Sequence, residues 1–288
     1  MIELSEREFN IFRNIVQQLL GIRLSDSKKV LVSSRLFSRL RALNLNSFTE
    51  YINYLGGSNG NSELINFVDK ITTNETYFFR EEKHFEYLKT IYFPSINQQK
   101  FSSDGIRIWS ACCSSGEEPY SIALTALSAY KSNNNLNIHI LATDISTKVL
   151  TIAQNAIYPE ISLNKFPHWV IKNFYEPISE KVISQFPFLQ KGQSYIHLNK
   201  EVSNMVKLKK LNLMSERYPL KSKLDIIFCR NAMIYFDDKA KDYVINKFYD
   251  HLKDDGLFFI GHSENLFNYS DKFKLITNTI YQKINKKT

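Results

Sequence analysis

Cysteine is scarce in this 288-residue chain, and the three present, Cys112, Cys113 and Cys229, form no metal-ligand spacing and cannot all pair. Vicinal Cys112 and Cys113 are poor disulfide partners, so the thiols read as reduced and buried, and no metal is expected. No apolar run approaches the roughly 18–20 residues of a membrane span, which argues against membrane insertion. The amino terminus, M-I-E-L-S-E-R-E, lacks the basic-then-apolar layout of a secretory signal. Together these absences predict a cytoplasmic chain. There is no internal repeat, and low complexity is confined to G-G-S-N-G-N-S at Gly56–Ser62 and a short S-N-N-N run near Ser132.

Acidic residues are outnumbered, 29 against 37 Lys and Arg, for a formal net charge of +8. That balance favours an anionic partner, whether nucleic acid, an anionic membrane face or an acidic protein. The 43% apolar content is enough for sizeable cores in one large domain or two modest ones.

The stretch Ile106 to Leu124, I-R-I-W-S-A-C-C-S-S-G-E-E-P-Y-S-I-A-L, organises the rest. A β-branched run gives way to small residues with one glycine, and then to a helix-forming run. The pattern is strand, tight turn, helix. Gly116 permits a backbone that a Cβ would obstruct, and Glu117, Glu118 and Pro119 suit a first helical turn. One glycine is short of the full dinucleotide-binding fingerprint, so the local pattern alone also fits an ordinary crossover without a ligand.

The whole string S-A-C-C-S-S-G-E-E-P-Y-S resembles the cofactor motif of the chemotaxis receptor methyltransferases, the CheR family, which use S-adenosylmethionine to methylate glutamate side chains of chemoreceptors. Cys112 departs from the glycine or alanine usual there. The resemblance implies a Rossmann-like α/β methyltransferase domain, mostly parallel with closing antiparallel strands, carrying a small antiparallel β-subdomain and preceded by an all-α domain. It places cofactor contacts at Ala111, Gly116 and Glu118.

Other segments extend the likeness. Residues from about Ser5 to Ile71 carry helical periodicity: Phe9, Phe12, Ile15, Val16 and Leu19 share one face, with Gly21 as a stop. A second helix is expected over Ser27–Leu43, with Val32, Leu36, Leu40 and Leu43 buried. On it Lys28, Arg35 and Arg39 fall within about 40° of one another at about 100° per residue. Six basic residues stand against Asp26 between Ile22 and Leu43. A solvated face accounts for such a strip, while the family resemblance implies that it faces the acidic methylation region of a receptor. Phe48–Leu55 and Leu64–Ile71 complete a four-helix set.

T-T-N-E-T-Y-F-F-R at Thr72–Arg80 suits an N-cap followed by a helix, Glu75–Leu88 being helix-compatible. It also resembles the family's T-N-x-T-x-F-F-R, which implies cofactor contacts at Asn74 and Thr76 and an active-site cation at Arg80. Asn137–Thr143 reads as a second strand with Asp144 at its carboxyl end, where an acid either accepts from ribose hydroxyls or caps a helix; the resemblance favours the ribose. Leu224–Arg230 is a buried-strand run. Its continuation resembles the family's C-R-N-x-M-I-Y-F, which implies cofactor contacts at Arg230 and Asn231 and a catalytic Tyr235, with further contacts at Asn212 and Leu213. Asp237–Leu252 is expected to be a helix ended near Gly256, and Phe273–Ile284 to supply a closing hairpin.

Proline-punctuated residues Ala156–Leu208 read as short helices and then strands, S-Y-I-H-L-N, K-E-V and M-V-K-L, placing a β-subdomain at about residues 185–208. Its Q-K-G-Q-S turn is poorer in glycine than the type that docks receptor tails, which implies recognition independent of a tail. The expected division is residues 1–72, helical and receptor-facing, and residues 73–288, cofactor-binding, in a monomer. Nucleic acid is not an expected partner: amino-methylating enzymes commonly carry N/D-P-P-Y/F where this chain reads N-A-M-I. A non-catalytic binding module is disfavoured by intact Arg80, Glu118, Asp144 and Tyr235.

Overall fold

The computed structural model describes residues 2–96, 105–130, 137–170 and 172–285, so the S-N-N-N run falls outside the described residues. Four helices come first: α1 (Glu6–Leu20), α2 (Lys29–Ala42), α3 (Phe48–Gly56) and α4 (Gly60–Ile71). Ser5 and Glu8 close a reciprocal capping box at the start of α1, worth about 1 kcal/mol. Phe9, Phe12, Val16 and Leu20 of α1 pack on Val32, Leu36 and Leu40 of α2 and on Tyr51 and Phe67, making a core of their own. Leu43, expected in that stripe, is only half-buried.

Gly21 ends α1 in the left-handed region at φ 68°. It is also a point of close approach to the rest of the chain. A Cβ there would lie 2.6 Å from Ala240 Cβ and 2.7 Å from Met214 Sδ. The next residues are stitched across: Ile22 forms an antiparallel bridge with Phe236, the Arg23 amide donates to the Tyr235 carbonyl at 2.8 Å, and the Asp237 amide donates to the Gly21 carbonyl at 3.0 Å. Gln17 Nε2 reaches Asp237 at 2.7 Å, and Thr147 Oγ1 reaches Asp69 at 2.9 Å. The helical part is thus held against the α/β part at the rim of the cleft between them.

The α/β part contains β1 (Ile106–Ala111), β2 (Ile138–Asp144), β3 (Ile157–Pro159), β4 (Tyr175–Pro177), β5 (Tyr195–Leu198), β6 (Val206–Lys210), β7 (Leu224–Cys229), β8 (Leu252–Ile260), β9 (Phe273–Thr277) and β10 (Ile280–Lys283). Seven of them form one sheet in the order β6-β2-β1-β7-β8-β10-β9. It is parallel except for β10, which runs antiparallel to both neighbours. β7 is buried at every position, as a central parallel strand covered on both faces must be. The strand order reverses between β1 and β7, and in open α/β sheets that switch point opens a crevice at the carboxyl ends.

Three expectations are corrected. The antiparallel sheet is β3-β5-β4 and spans residues 157 to 198, starting well before 185. K-E-V lies in a helical turn, Lys200–Ser203, and Val206–Lys210 pairs in parallel with β2 as an edge of the main sheet; short polar-apolar alternation does not say which partner a strand takes. The helix after Asp237 runs Asp238–His251, and Gly256 sits inside β8, so Leu252 starts a strand.

Candidate active site

A cavity of about 350 Å³ opens at the switch point, within the usual span for small-ligand sites. Its wall brings together Asn74, Thr76, Arg80, Glu118, Asp144, Asn212, Leu213, Arg230, Asn231 and Tyr235, which come from segments far apart in the sequence, with Lys28 and Arg35 from the helical part. Ala111 and Gly116 are not on that wall. Ala111 is buried at the end of β1, and Gly116, at φ 99°, makes room for Tyr158 Oη and Ala153 Cβ, which a Cβ would meet at 2.7 and 2.8 Å. The glycine shapes the turn from behind.

The loop from Thr72 to Glu82 is not helical; the helix begins only at Lys83. Phe79 and Glu81 take positive φ (55° and 60°), so the backbone reverses on either side of Arg80 while Phe78 and Phe79 remain anchored in the core. Arg80 Nη1 donates to the Glu75 carbonyl at 3.0 Å and its guanidinium lies over Tyr77. Asn74 is tied to the central motif through its carbonyl, which accepts from Ser114 Oγ at 2.9 Å.

Asp144 lies at the carboxyl end of β2, buried, with its two oxygens accepting the Ser114 amide and the Ser146 amide, both at 2.9 Å. It does not cap the following helix; Ser146 does. Burial pushes its pKa up against those two amides. Each oxygen retains a second lone pair for a ligand hydroxyl. Asn212 donates to the Leu19 carbonyl at 2.7 Å, bridging the helical part.

The cavity floor is a buried ionic knot. Arg230 reaches Glu118 (Nη1–Oε2 3.1 Å) and Glu81 (Nη2–Oε2 3.0 Å), donates to the Arg80 carbonyl, and stacks over Phe85. Glu118 also accepts from Ser110 Oγ at 2.7 Å, yet burial still pushes its pKa up. Burial works on Glu81 in the same sense, but Arg230, the His262 amide and Asn231 outweigh it and hold the carboxyl low. Asn231, at φ 57°, is fixed by its amide to Glu264 at 3.0 Å and its side chain to Glu81 at 3.2 Å. Glu264 gathers the amides of Gly261, Asn231 and Ile234 as well, which orients the whole turn after β7.

Glu81 and Glu264 were missed at the sequence level. Glu81 directly follows T-T-N-E-T-Y-F-F-R, and an acid abutting such a segment was the available signal; Glu264 lies in the turn after β8, outside every motif. Arg39 is a correction in the other direction. It does not share a free basic face with Lys28 and Arg35; it forms a two-armed pair with buried Glu63 inside the bundle (2.8 and 2.7 Å). Arg35 faces the cleft and donates to the Ile71 carbonyl and Thr73 Oγ1, at 2.5 and 3.0 Å, steadying the start of the Arg80 loop.

Comparison with known proteins matches residues 7–72 to the family described as CheR methyltransferase, all-alpha domain, and residues 74–282 to CheR methyltransferase, SAM binding domain. The chain belongs to the CheR methyltransferase family. It is 43% identical over 269 residues to a chemotaxis protein methyltransferase of Borreliella burgdorferi, covering 92% of this chain and 90% of that protein. It is 36% identical over 277 residues to chemotaxis protein methyltransferase 2 of Pseudomonas aeruginosa (96% and 93% covered), and 34% identical over 282 residues to the chemotaxis protein methyltransferase of Escherichia coli (97% and 92%). As a member of this family it is an S-adenosylmethionine-dependent methyltransferase. The cavity suits that cofactor: S-adenosylmethionine carries ammonium and sulfonium charges, and at the floor the one guanidinium of Arg230 is met by two largely enclosed carboxylates, Glu81 and Glu118, with buried Asp144 beside them on the cavity wall.

Proposed function

We propose that this chain transfers the methyl group of S-adenosylmethionine to glutamate side chains in the cytoplasmic methylation region of chemoreceptors. The products are glutamate methyl esters and S-adenosylhomocysteine, and the step serves sensory adaptation in chemotaxis. One observation carries this reading. The cavity is polarised, with Arg23, Lys28 and Arg35 at the helical side and half-buried Glu118 and buried Asp144 at the base. A cationic cofactor is matched by the base and an anionic acceptor by the mouth. Leu31, Tyr77 and Tyr235 are exposed between the cations, which suits an acceptor helix that presents acidic and apolar residues together. In this division residues 1–72 meet the acceptor and residues 73–288 hold the cofactor.

In this reading Asp144 accepts from the ribose hydroxyls, while Glu118, itself oriented by Arg230 and Ser110, faces the cofactor's cationic end. Asn74, Thr76, Asn212, Leu213 and Asn231 shape the wall. The cofactor supplies an electrophilic methyl on a positively charged sulfur. The acceptor carboxylate, with an ordinary pKa near 4.3, arrives ionised and needs no general base. Its oxygen lone pair forms the new O–CH₃ bond as the S–CH₃ bond breaks, its electrons staying on sulfur, so both charges vanish. Arg80 and Tyr235 then orient the carboxylate in line, and a gain of several kcal/mol from such positioning is ordinary. Arg80 suits this role because among the described residues no carboxylate lies within ion-pair distance of its guanidinium.

The test is the pH dependence of single-turnover methyl transfer with saturating cofactor and receptor. The rate is expected to be nearly flat between about pH 6.5 and 8.5, because the acceptor is ionised throughout. A rate rising tenfold per pH unit there would mean that a proton must first be removed, as for an amine or hydroxyl acceptor.

A further inference from the structure

Behind the ionic knot, on the side away from the cofactor cavity, His84 is fully buried. Its Nε2 lies 2.9 Å from the Asn278 carbonyl and 3.1 Å from Thr279 Oγ1. A carbonyl only accepts, so Nε2 carries the proton and Nδ1 presents a lone pair. That buried Nδ1 has no hydrogen-bond partner. It faces Glu81 Oε2, another acceptor, at 3.6 Å, and His262 Nε2 stands 3.9 Å from the same oxygen. Three electron-pair donors thus converge, all within 4.8 Å of one another. Arg230 donates to the same Glu81 oxygen from Nη2 and Nε, at 3.0 and 3.3 Å, but the buried His84 Nδ1 still faces that oxygen with no proton between them, which a cation would relieve.

We propose that Glu81, His84 and His262 bind a divalent transition-metal ion, with Zn²⁺ best suited to this set of two imidazoles and one carboxylate. A tetrahedral ion with bonds of about 2.0–2.1 Å holds its ligands about 3.3–3.4 Å apart, so two of the separations need to shorten by only a few tenths of an ångström. The remaining adjustment falls on His262, whose side chain is half exposed. Arg230 is a nearby opposing charge, but partly buried Glu81 and Glu118 and buried Glu264 surround it, so the neighbourhood stays net acidic. The contact from His84 Nε2 to the Asn278 carbonyl is the kind that fixes a ligating imidazole.

The ion takes no part in methyl transfer. It clasps the Arg80 loop and the helix Lys83–Tyr87 to the turn after β8, from behind the floor. The ligands come from segments nearly 180 residues apart in the chain, which is why no ligand spacing shows in the sequence.

The test uses the full-length protein without a histidine tag, stripped with a chelator and titrated with Zn²⁺ by calorimetry, then with Co²⁺ for its absorption spectrum. The expected result is about one ion per chain, a tetrahedral Co²⁺ spectrum and a higher Tm with the ion bound. His262→Ala carries the test, since replacing buried His84 invites unfolding. It should weaken Zn²⁺ binding at least tenfold while leaving S-adenosylmethionine affinity unchanged. No stoichiometric binding, equal binding by His262→Ala, or a protonated His84 Nδ1 in ¹⁵N NMR of the Zn²⁺-treated protein would overturn the proposal. None of these outcomes bears on the methyltransferase reading, which the transfer assay tests separately.

Discussion

Arg39 and Glu63 meet in a two-armed pair, Nε to Oε1 at 2.8 Å and Nη2 to Oε2 at 2.7 Å, with Tyr51 Oη on the same carboxylate at 2.8 Å. Burial pushes Glu63 up, but Arg39, Tyr51 and Asn66 together outweigh it and hold the carboxyl below its usual range. A depressed folded-state pKa contributes stability above the unfolded value that is lost as pH falls through the folded one. Arg39→Ala leaves a buried charge without its partner, and should cost about 3–5 kcal/mol near neutral pH. In that variant Glu63 titrates higher, so the gap to wild type should narrow towards pH 4. Urea unfolding at the two pH values checks this; a constant gap contradicts it.

Asp144 is asked to hold two backbone turns and the ribose at once. Asp144→Ala should weaken S-adenosylmethionine binding by about tenfold to a hundredfold, as loss of charged hydrogen bonds implies. Calorimetry on the folded variant measures it. Unchanged affinity would remove Asp144 from the ribose site.

With Arg39 occupied, Lys28, just before α2, and Arg35 within it are the residues of the basic strip that line the cavity. Lys28→Ala should leave cofactor affinity intact, slow receptor methylation, and flatten the dependence of its rate on ionic strength. Rates at low and high salt indistinguishable from wild type would make Lys28 a solvated side chain.

How legible was this in the sequence? Helices α1 to α4 were, because Phe9, Phe12 and Val16 repeat at helical spacing and Gly21 marks a stop, although the buried stripe closes on Leu20 and leaves Ile15 and Leu19 only half-buried. β7 was, since six consecutive apolar or enclosed residues suit a central parallel strand. The ends of Asp144, Arg230 and Asn231 at one crevice followed from motif order. Pairings were not: Val206–Lys210 alternates as well for an antiparallel hairpin as for the parallel edge it joins, and helical phase placed Arg39 beside Arg35 without showing that Glu63, 24 residues on, lay within reach. Periodicity reports a face, and the partner opposite that face comes only with the tertiary fold. Glu81 and Glu264 stayed hidden for the same reason, as their work is on backbone amides of distant turns.

Arg80 and Tyr235 are assigned to orientation. Arg80→Ala and Tyr235→Phe should each lower the single-turnover rate by about tenfold or more while the protein stays folded and binds cofactor, since what is lost is alignment near the reacting atoms. A variant with a normal single-turnover rate would lose its catalytic assignment.

Glutamate esterification itself is tested most directly by the chemistry of the product bond. Receptor-containing membranes incubated with this protein and methyl-labelled S-adenosylmethionine should acquire label on the receptor band, and mild base should release that label as volatile methanol, because carboxyl methyl esters hydrolyse. Label that stays on the protein after base, as an N-methyl group would, contradicts the account.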